Sequence, residues 1–286
     1  MRAGAGFPMR GAVLRPGASL RRPIGPIVLP MAHTLITMPF SHFCEKARWS
    51  LEAAGVPFRE EGHCPLMHRL AVRRAGGRGS VPVLAVEGGP AIDDSPLIVR
   101  YADAQAAPDR KLWPAAGGAR DEALELERQL DVDFAPHVRR FIYFHVLPRR
   151  DLALELFRID APPREHAVAR IAFPAMRVLM KRFMRIHGPG MRRSHSAMRR
   201  MFDAIGERLR DGRPYLLGDR FGAADIAFAS LAAPMLQPPE HPKVRVPLES
   251  LPPPLIDEIG VSQRHPAGVF ALRLYRERRG AVPIPA

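Results

Sequence analysis

The stretch HTLITMPFSHFCEKARWSLEAAGV, residues 33–56, changes its hydrophobic pattern in the middle. Its first third, HTLITMPF, is apolar and rich in β-branched residues, which predicts a buried strand. The segment after it carries four apolar residues at helical spacing, Phe43, Ala47, Leu51 and Ala54. Gly55 and Pro57 predict the end of that helix. A strand is therefore predicted to turn directly into a helix.

The next segments predict a second strand, a hairpin and a second helix. PFREEGH, residues 57–63, has a strand pattern, and a segment rich in Arg and Gly predicts a loop after it. SVPVLAVEGGPAIDD, residues 80–94, predicts two short strands with Gly-Gly at their turn. SPLIVRYADAQ predicts a helix with Ser95 at its N-cap and Pro96 at its first position. The order β-α-β, loop, β-β-α is that of the thioredoxin fold.

Strand signals stop after residue 105, and the rest of the chain predicts helices. The helical patterns cover roughly 119–146, with a kink at Pro136, and then 163–187, 191–210 and 222–235. A Pro-dense irregular segment precedes a last helix, HPAGVFALRLYRERRG. The predicted fold class is an α/β thioredoxin-like N-terminal domain followed by an all-α C-terminal domain. We predict a disordered extension at 1–30, a thioredoxin-like domain at 32–105, a linker at 106–117 and a helical domain at 118–280.

Composition limits the class of protein. No uncharged run reaches the length of a membrane span without a proline, which predicts a soluble protein, and two cysteines are too few for a disulfide framework. We therefore expect a cytoplasmic location. Residues 1–30 hold five Arg and no acid, and they lack periodicity, so we expect a disordered extension rather than a targeting peptide. The net charge of +14 raises the question of an anionic partner.

A hydroxyl, an imidazole and a thiol are gathered where the first strand meets the first helix, at Ser41, His42 and Cys44. A helix N-terminus offers unpaired N–H groups and a positive dipole end, so a thiol beside Ser41 would lose its proton more easily. Ser41 would donate a hydrogen bond to the resulting thiolate. Simpler interpretations stay open: Ser41 as a plain N-cap, Cys44 as a small apolar residue, and His42 facing solvent.

Four motifs in the same order resemble the soluble glutathione S-transferase superfamily. FSHFCEKARW is similar to the family's first strand-to-helix corner, with Ser41 followed seven positions later by Arg48. SVPVL resembles the strand that carries a cis-proline, and IDDS resembles the acidic-residue-then-Ser pair. RPYLLGDRFGAADIAFASLAAP, residues 213–234, resembles the helical domain's capping box, although Gly222 replaces its usual Ser or Thr. There we expect Asp225 to accept from the Gly222 N–H and Phe221 to pack on Ile226.

The resemblance implies glutathione as co-substrate, bound by Val81, Pro82, Asp94 and Ser95. The Val81 N–H and C=O would pair with the peptide, Asp94 would accept from its α-ammonium, and Ser95 would receive its α-carboxylate. It also implies a homodimer, and attack of glutathione thiolate, stabilised by Ser41, on a hydrophobic electrophile in detoxification chemistry. Cys44 is the other candidate catalytic residue, since it stands where the second cysteine of a glutaredoxin-like Cys-x-x-Cys would be. The alternative activity is therefore a glutathione-dependent thiol reductase.

Two further clusters are candidates for binding. His63, Cys64 and His68 lack the fourth ligand of a zinc site, so we expect no metal there. RVLMKRFMRIHGPGMRRSHSAMRRM, residues 177–201, carries eight Lys or Arg and no acid. It predicts a solvated basic face over an apolar face that includes Val178 and Phe183. The alternative is a non-catalytic member of the fold that docks on an anionic membrane surface, whereas nucleic acid is disfavoured because aromatic residues do not interleave with the charges.

Overall fold

The N-terminal half of the fold is built on a mixed sheet. In this computed structural model, residues 33–244 and 246–279 are described, and the predicted extension at 1–30 lies outside them. The sheet has four strands in the order β2-β1-β3-β4. Their bounds are β1 His33–Thr37, β2 Phe58–Gly62, β3 Val83–Ala85 and β4 Ile92–Asp93. β1 pairs parallel with β2 and antiparallel with β3, and β3 pairs antiparallel with β4, which confirms the predicted thioredoxin-like arrangement.

Three helices accompany the sheet: α1 His42–Ala54, α2 His68–Arg74 and α3 Ser95–Gln105. The prediction of a loop between β2 and β3 was wrong over α2, a helix of two turns whose Val72 packs under the sheet. α3 begins one position away from the prediction, because Asp94 occupies the N-cap and Ser95 is the first helical residue. α1 ends as expected at Gly55, whose φ of +74° places it in the left-handed region that glycine favours.

The rest of the described chain is helical, as predicted. Its helices are α4 Gly118–Gln129, α5 Ala135–Val146, α6 Arg150–Arg158, α7 Pro163–Phe183, α8 Gly188–Arg208, α9 Ala223–Leu236, α10 Pro253–Arg264 and α11 Pro266–Leu274. α6 was not predicted, and α10 lies in the segment predicted to be irregular. The described residues form one compact unit, so the boundaries at 105 and 118 stay predictions. Between residues 33 and 279, with Arg245 set aside, no helix is both long and apolar enough to cross a bilayer.

A π-helical turn, Leu130–Phe134, separates α4 from α5. Pro136 lies at the start of α5, and the backbone of Phe134 just before it departs from helical geometry, with φ −120° and ψ −58°. A proline ring excludes a regular helical hydrogen bond at its own nitrogen and crowds the preceding turn. The kink predicted at this proline is therefore present as an interruption of the helix.

The core is organised around α9, which is apolar on all sides and buried except at Pro234. A helix of that kind belongs at the centre of a domain. Its start is fixed by Asp225, whose carboxylate accepts from the N–H of Gly222 and from that of Leu216, each at 2.8 Å. The half capping box expected at Gly222 is thus confirmed. α9 packs against α1, α5 and α11, so it connects the helical part to the helix that follows β1.

Buried ion pairs fix the position of α1. Arg48 donates from Nε to Glu60 of β2 at 3.0 Å and also pairs with Glu45 one turn earlier. Lys46, on the opposite side of α1, pairs with Glu127 at 2.7 Å and with Asp131 at 2.6 Å. Because these charges are removed from water, each depends on its partner for compensation. The helix that starts at the Ser41 corner is therefore held from both the sheet and the helical part.

Candidate functional site

The strand-to-helix corner opens onto a pocket between the sheet-containing part and the helices. The pocket holds about 930 Å³ of empty space, counted out into open solvent. Ser41 and Val81 both line it. The rest of the lining is mostly apolar: it comes from residues next to Ser41, Phe40 and Phe43, and from distant segments, among them Ile142, Leu156, Met184 and Val244. A concave, mainly apolar pocket with a few polar groups is the usual form of a small-molecule site.

Ser41 occupies the N-cap position of α1, with φ −78° and ψ 126°. Its N–H donates to the carbonyl of Met38 at 2.8 Å, but its side chain makes no capping hydrogen bond to the helix. The hydroxyl therefore does not cap the helix. Ser41 lines the pocket at the positive end of the helix dipole. This is the place where an anion bound in the pocket would be stabilised.

Cys44 lies one turn further along α1 and is fully buried. Burial raises the pKa of its thiol to about 12, although contacts with Met38, Arg48 and Ser41 act in the opposite direction. The thiol is thus protonated at neutral pH, and the residue is not part of the pocket wall. A buried protonated thiol is a poor nucleophile.

His42 differs from the expectation that it faces solvent, which was wrong. Its ring is 5% exposed, and Nε2 lies 3.1 Å from the carbonyl oxygen of Ala135 at the start of α5. Burial, together with the nearby charge of Arg139, lowers the pKa of His42 to about 3. The imidazole is therefore neutral and serves as a link between α1 and α5 beside the pocket.

The Val81–Pro82 peptide bond is cis, and Val81 lies on the pocket wall across from Ser41. Neither the N–H nor the C=O of Val81 has a backbone hydrogen-bond partner within the described ranges. The carbonyl of Pro82 accepts from the N–H of Asp94 at 3.2 Å. These contacts join the cis-proline loop to the start of α3.

Asp94 and Ser95 form a second polar group at the start of α3. Asp94 has a φ of +79°, and its Oδ1 accepts from the N–H of Ser95 at 2.8 Å. The Ser95 hydroxyl is fully buried and has no hydrogen-bond partner in the described part of the chain. Buried hydroxyls are normally paired, so an unpaired one at a helix N-terminus is consistent with a polar ligand. Neither residue lines the pocket that Ser41 and Val81 share.

Asp131, in the π-helical turn, was missed by the sequence analysis. Its Oδ2 pairs with Lys46, while its buried Oδ1 has no partner among the described residues. Burial raises the pKa of Asp131, the Lys46 ammonium opposes that rise, and the Asp94 carboxylate adds to it. The negative charges of Asp131 and Asp94 therefore act on each other, and together they make that region attractive to a cation.

Arg139, Tyr143 and His241 were also missed, and all three line the pocket. The Arg139 guanidinium lies over the Phe43 ring, 5.8 Å from its centroid. Burial raises the pKa of Tyr143 to about 12, so its hydroxyl stays protonated. No local pattern marks these residues, because they reach the pocket from α5 and from the segment after α9.

The structure also gives the surroundings of the candidate metal and membrane-binding clusters. His63 lies between Glu165, at 2.8 Å, and Glu61, at 3.1 Å, while Cys64 Sγ lies 3.1 Å from the carbonyl of Phe157. In the described ranges no group of three or more His, Cys, Asp or Glu side chains is arranged to hold a metal ion. The basic stretch 177–201 is divided between α7 and α8.

Two models of known protein families match the sequence of this chain. A model of the glutathione S-transferase N-terminal domain matches residues 35–110, and a model of the glutathione S-transferase C-terminal domain matches residues 189–256. The chain belongs to the glutathione S-transferase superfamily. The first match covers the sheet, α1 and the Asp94–Ser95 pair, and the second covers α8 and the capped start of α9.

Solved glutathione S-transferases share the fold at low sequence identity. A glutathione S-transferase from Methylobacterium radiotolerans, solved with glutathione sulfonate, is 20% identical with a TM-score of 0.56, over 89% of this chain and 96% of that one. A glutathione transferase from Phanerochaete chrysosporium, solved with oxidised glutathione, is 14% identical with a TM-score of 0.58, over 87% and 93%. The beta-etherase LigF from Sphingobium is 17% identical with a TM-score of 0.55, over 85% and 99%. A search of curated protein sequences found no match.

Proposed function

We propose that this glutathione S-transferase superfamily member transfers glutathione to a hydrophobic electrophile, with Ser41 stabilising the glutathione thiolate. The observation that carries the proposal is the Ser41 hydroxyl, which makes no capping bond and lies on the wall of a largely apolar pocket. A hydroxyl that is not used as a helix cap can stabilise a sulfur anion together with the helix N-terminus, and the apolar wall suits an electrophile beside it. The solved relatives that contain glutathione sulfonate and oxidised glutathione add support from the family.

Glutathione fits the polar groups that the protein leaves unpaired. In the proposed pose, the Val81 N–H and C=O pair with the cysteinyl unit as an added strand. The buried Ser95 hydroxyl and the first amides of α3 receive the α-carboxylate, and Asp94 accepts from the α-ammonium. We add Asp131 to this set, because its buried Oδ1 has no partner among the described residues and its pKa is raised by the charge of Asp94. Pro82 contributes by holding Val81 and by accepting from the Asp94 N–H.

The proposed reaction is a displacement at the electrophilic carbon. The glutathione thiol first loses its proton to water, and Ser41 then donates a hydrogen bond to the thiolate. The sulfur electron pair forms the new C–S bond while the leaving group departs with the electrons of the broken bond. His42 cannot act as the base in this scheme, because it is buried and neutral with a pKa of about 3.

The burial of Cys44 supports Ser41 over Cys44 as the catalytic residue. A glutathione-dependent reductase would need the Cys44 thiol to reach a disulfide, which its full burial and its raised pKa oppose. We keep the reductase as the alternative activity that the Cys44 variant in the Discussion tests. We also propose that the protein is a homodimer, as in the family, and that it is cytoplasmic. Light scattering of the purified protein would test the homodimer.

Calorimetric titration of glutathione into the full chain tests the binding proposal. We expect a Kd between micromolar and millimolar, and a loss of affinity of at least about tenfold in Asp94→Ala, since a charge-assisted hydrogen bond is worth about 1.5–3 kcal/mol. Asp109→Ala is the matched control, because it removes an exposed carboxylate of the same type from the turn after α3. No binding by the unmodified chain, or equal losses in the two variants, would count against the proposal.

A second function, docking on an anionic membrane surface, is favoured by α7. Val178 and Phe183, which the sequence predicted to be on an apolar face over the core, are 65% and 75% exposed, and Ile171 is 85% exposed. The core contacts of α7 come instead from Phe173, Met176 and Met180. Exposed apolar side chains flanked by Arg177, Lys181 and Arg182 suit the interface of a negatively charged bilayer.

A further inference from the structure

A second cleft, between α5 and α8, is lined almost entirely by cations. It holds about 1020 Å³ of empty space, counted out into solvent. Five arginines and one histidine line it, together with Ser196 and Ala197: Arg140, Arg185, Arg192, Arg193, Arg200 and His137. No carboxylate lines it. It lies outside the pocket that contains Ser41, because the two share no lining residue.

The arginines of this cleft have no acidic partner within the described part of the chain. In residues 33–244 and 246–279, none of the five has a carboxylate within 4.0 Å. Arg199, by contrast, does not line the cleft, and it pairs with the Glu258 carboxylate at 3.5 Å. Five like charges around one concave surface repel one another, and low-dielectric walls focus their field on the space between them. A bound polyanion would relieve that repulsion.

Arg140 is fixed in place before any ligand arrives. Its Nε donates to the carbonyl of Met184 at 2.9 Å, and its Nη1 donates to the Ser194 hydroxyl at 2.8 Å. Ser194 is fully buried, and His137 Nδ1 lies 3.1 Å from the same hydroxyl. Because these contacts are made within the protein, little side-chain entropy is lost when the remaining guanidinium N–H groups bind an anion.

The electrostatic environment agrees with the geometry. Burial lowers the pKa of Arg140, and its charged neighbours Arg139, Arg193 and Arg185 lower it further. Burial likewise lowers the pKa of His137, with Arg140 and Arg200 acting in the same direction. The cations on α5, on α8 and on the connection between α7 and α8 thus face one another.

We propose that the cleft between α5 and α8 binds a ligand that carries two or more phosphate groups. Arginine presents a planar fork of donors that matches phosphate oxygens two at a time, and several forks around one cleft favour a polyvalent anion over a single carboxylate. Nucleic acid fits less well, because no Phe, Tyr or Trp side chain lines the cleft to stack a base. The proposal concerns a different site from the glutathione pocket and does not rest on the transferase activity.

Titration with tripolyphosphate at physiological salt tests the site in the full chain. We expect micromolar binding that weakens at least about tenfold in Arg193→Gln/Arg200→Gln, since each variant position loses a charge-assisted contact. The matched control is Arg73→Gln/Arg74→Gln on α2, which removes the same two charges from an exposed surface elsewhere. The control should stay within about twofold of the unmodified chain. Both pairs are exposed arginines, and equal melting temperatures would show that the variants are folded.

Vesicles distinguish a soluble phosphate ligand from a lipid headgroup. Phosphatidylcholine vesicles that carry a phosphatidylinositol bisphosphate present the same chemistry on a surface. Binding of tripolyphosphate alone, dependent on Arg193 and Arg200, assigns a soluble ligand to the cleft. Vesicle binding with the same dependence assigns the headgroup instead. If neither probe binds, or if the cleft and control variants lose affinity equally, the proposal is overturned. Stronger cleft-dependent binding of a single-stranded oligonucleotide than of tripolyphosphate would overturn it as well.

Discussion

Arg279 donates a hydrogen bond from Nε to Oε1 of Glu45 at 2.8 Å, which joins the last described turn of the chain to the first helix. The same guanidinium pairs with Glu52, about two turns further along α1, and it lies over the ring of Trp49, 5.7 Å from the ring centroid. Burial alone would raise the pKa of Glu45, but Arg279 and the other cations around it lower that pKa to about 2. The carboxylate therefore stays charged in the core and depends on Arg279.

Replacing Arg279 with Met is expected to destabilise the fold by about 3–5 kcal/mol, because it leaves Glu45 buried without one of its partners. Urea unfolding monitored by circular dichroism measures the change. Arg276→Met is the matched control, since Arg276 is exposed in the same π-helical turn. The control should change the free energy of unfolding by at most about 0.5 kcal/mol. Equal effects of the two substitutions would show that the buried contact with Glu45 contributes nothing particular.

Ser41→Ala is expected to lower the turnover of glutathione conjugation by roughly 10²-fold, the usual effect of removing one hydrogen-bond donor to a developing or bound anion. Cys44→Ala should stay within about twofold, because the thiol is buried and protonated. Steady-state kinetics with glutathione and a chloronitrobenzene measures both. Disulfide reduction by glutathione is assayed in parallel. Loss of that activity in Cys44→Ala, with Ser41→Ala unaffected, would favour the reductase alternative.

The stability of the protein is expected to fall as the pH drops from 6.5 towards 4, in part through His241. Burial lowers the pKa of His241 to about 4, and its Nδ1 accepts from the N–H of Lys243 at 3.2 Å and of Val244 at 3.0 Å. In this pH window the unfolded chain takes up a proton that the folded chain refuses, so the free energy of unfolding falls by up to about 1.4 kcal/mol per pH unit.

His241→Asn is the test of that assignment, because the amide oxygen takes the place of Nδ1 as acceptor and does not titrate. Urea unfolding at pH 7 and pH 5 should show a smaller loss of stability in the variant than in the unmodified chain. Part of the loss should remain, since His42 has a pKa lowered to about 3 by burial and acts in the same direction. Asp225, whose pKa is raised to about 7 by burial, acts in the opposite direction in both proteins. An unchanged pH dependence would remove His241 from the explanation.

Ile171→Gln/Phe183→Gln is expected to reduce retention of the protein on phosphatidylserine vesicles by on the order of tenfold or more, because burying a large apolar side chain contributes about 1.5–3 kcal/mol. Co-sedimentation with the vesicles measures retention. Leu70→Gln/Leu97→Gln is the control, since these side chains are 56% and 49% exposed away from α7. If the unmodified protein is not retained, or if the two double variants lose retention equally, α7 does not dock on membranes.

The fold was predictable where local pattern and final structure agree. The strand-to-helix corner, the hairpin at Gly88-Gly89 and the start of α9 at Gly222 follow from short-range rules of periodicity, turns and caps. α10 was missed because Pro252, Pro253 and Pro254 predict an irregular segment, yet proline is compatible with the first turn of a helix. α2 was missed because Arg and Gly dominate its surroundings, and two helical turns leave little periodicity to detect.

The candidate site was predictable only on its N-terminal side. Ser41 was predicted from its neighbouring residues and Val81 from the family resemblance of its segment, and both line one pocket in the structure. Arg139 and Asp131 were not, because their role depends on contacts between segments far apart in the chain. His42 shows the same limit, since its partner, the carbonyl of Ala135, is 93 residues away. Functional residues that lie together in one segment can be predicted from the sequence. The residues that tertiary packing brings to them from distant segments cannot.

The bond between Arg279 and Glu45 spans 234 residues of sequence, and this separation matters while the protein is being made. Synthesis proceeds from the N-terminus, so α1 leaves the ribosome long before Arg279 exists. Until then the Glu45 carboxylate is stabilised only by the Arg48 cation and by hydration, so its full burial has to wait. The helix that presents Ser41 is thus among the first to be synthesised, but its electrostatic setting is completed only by the last residues of the described chain.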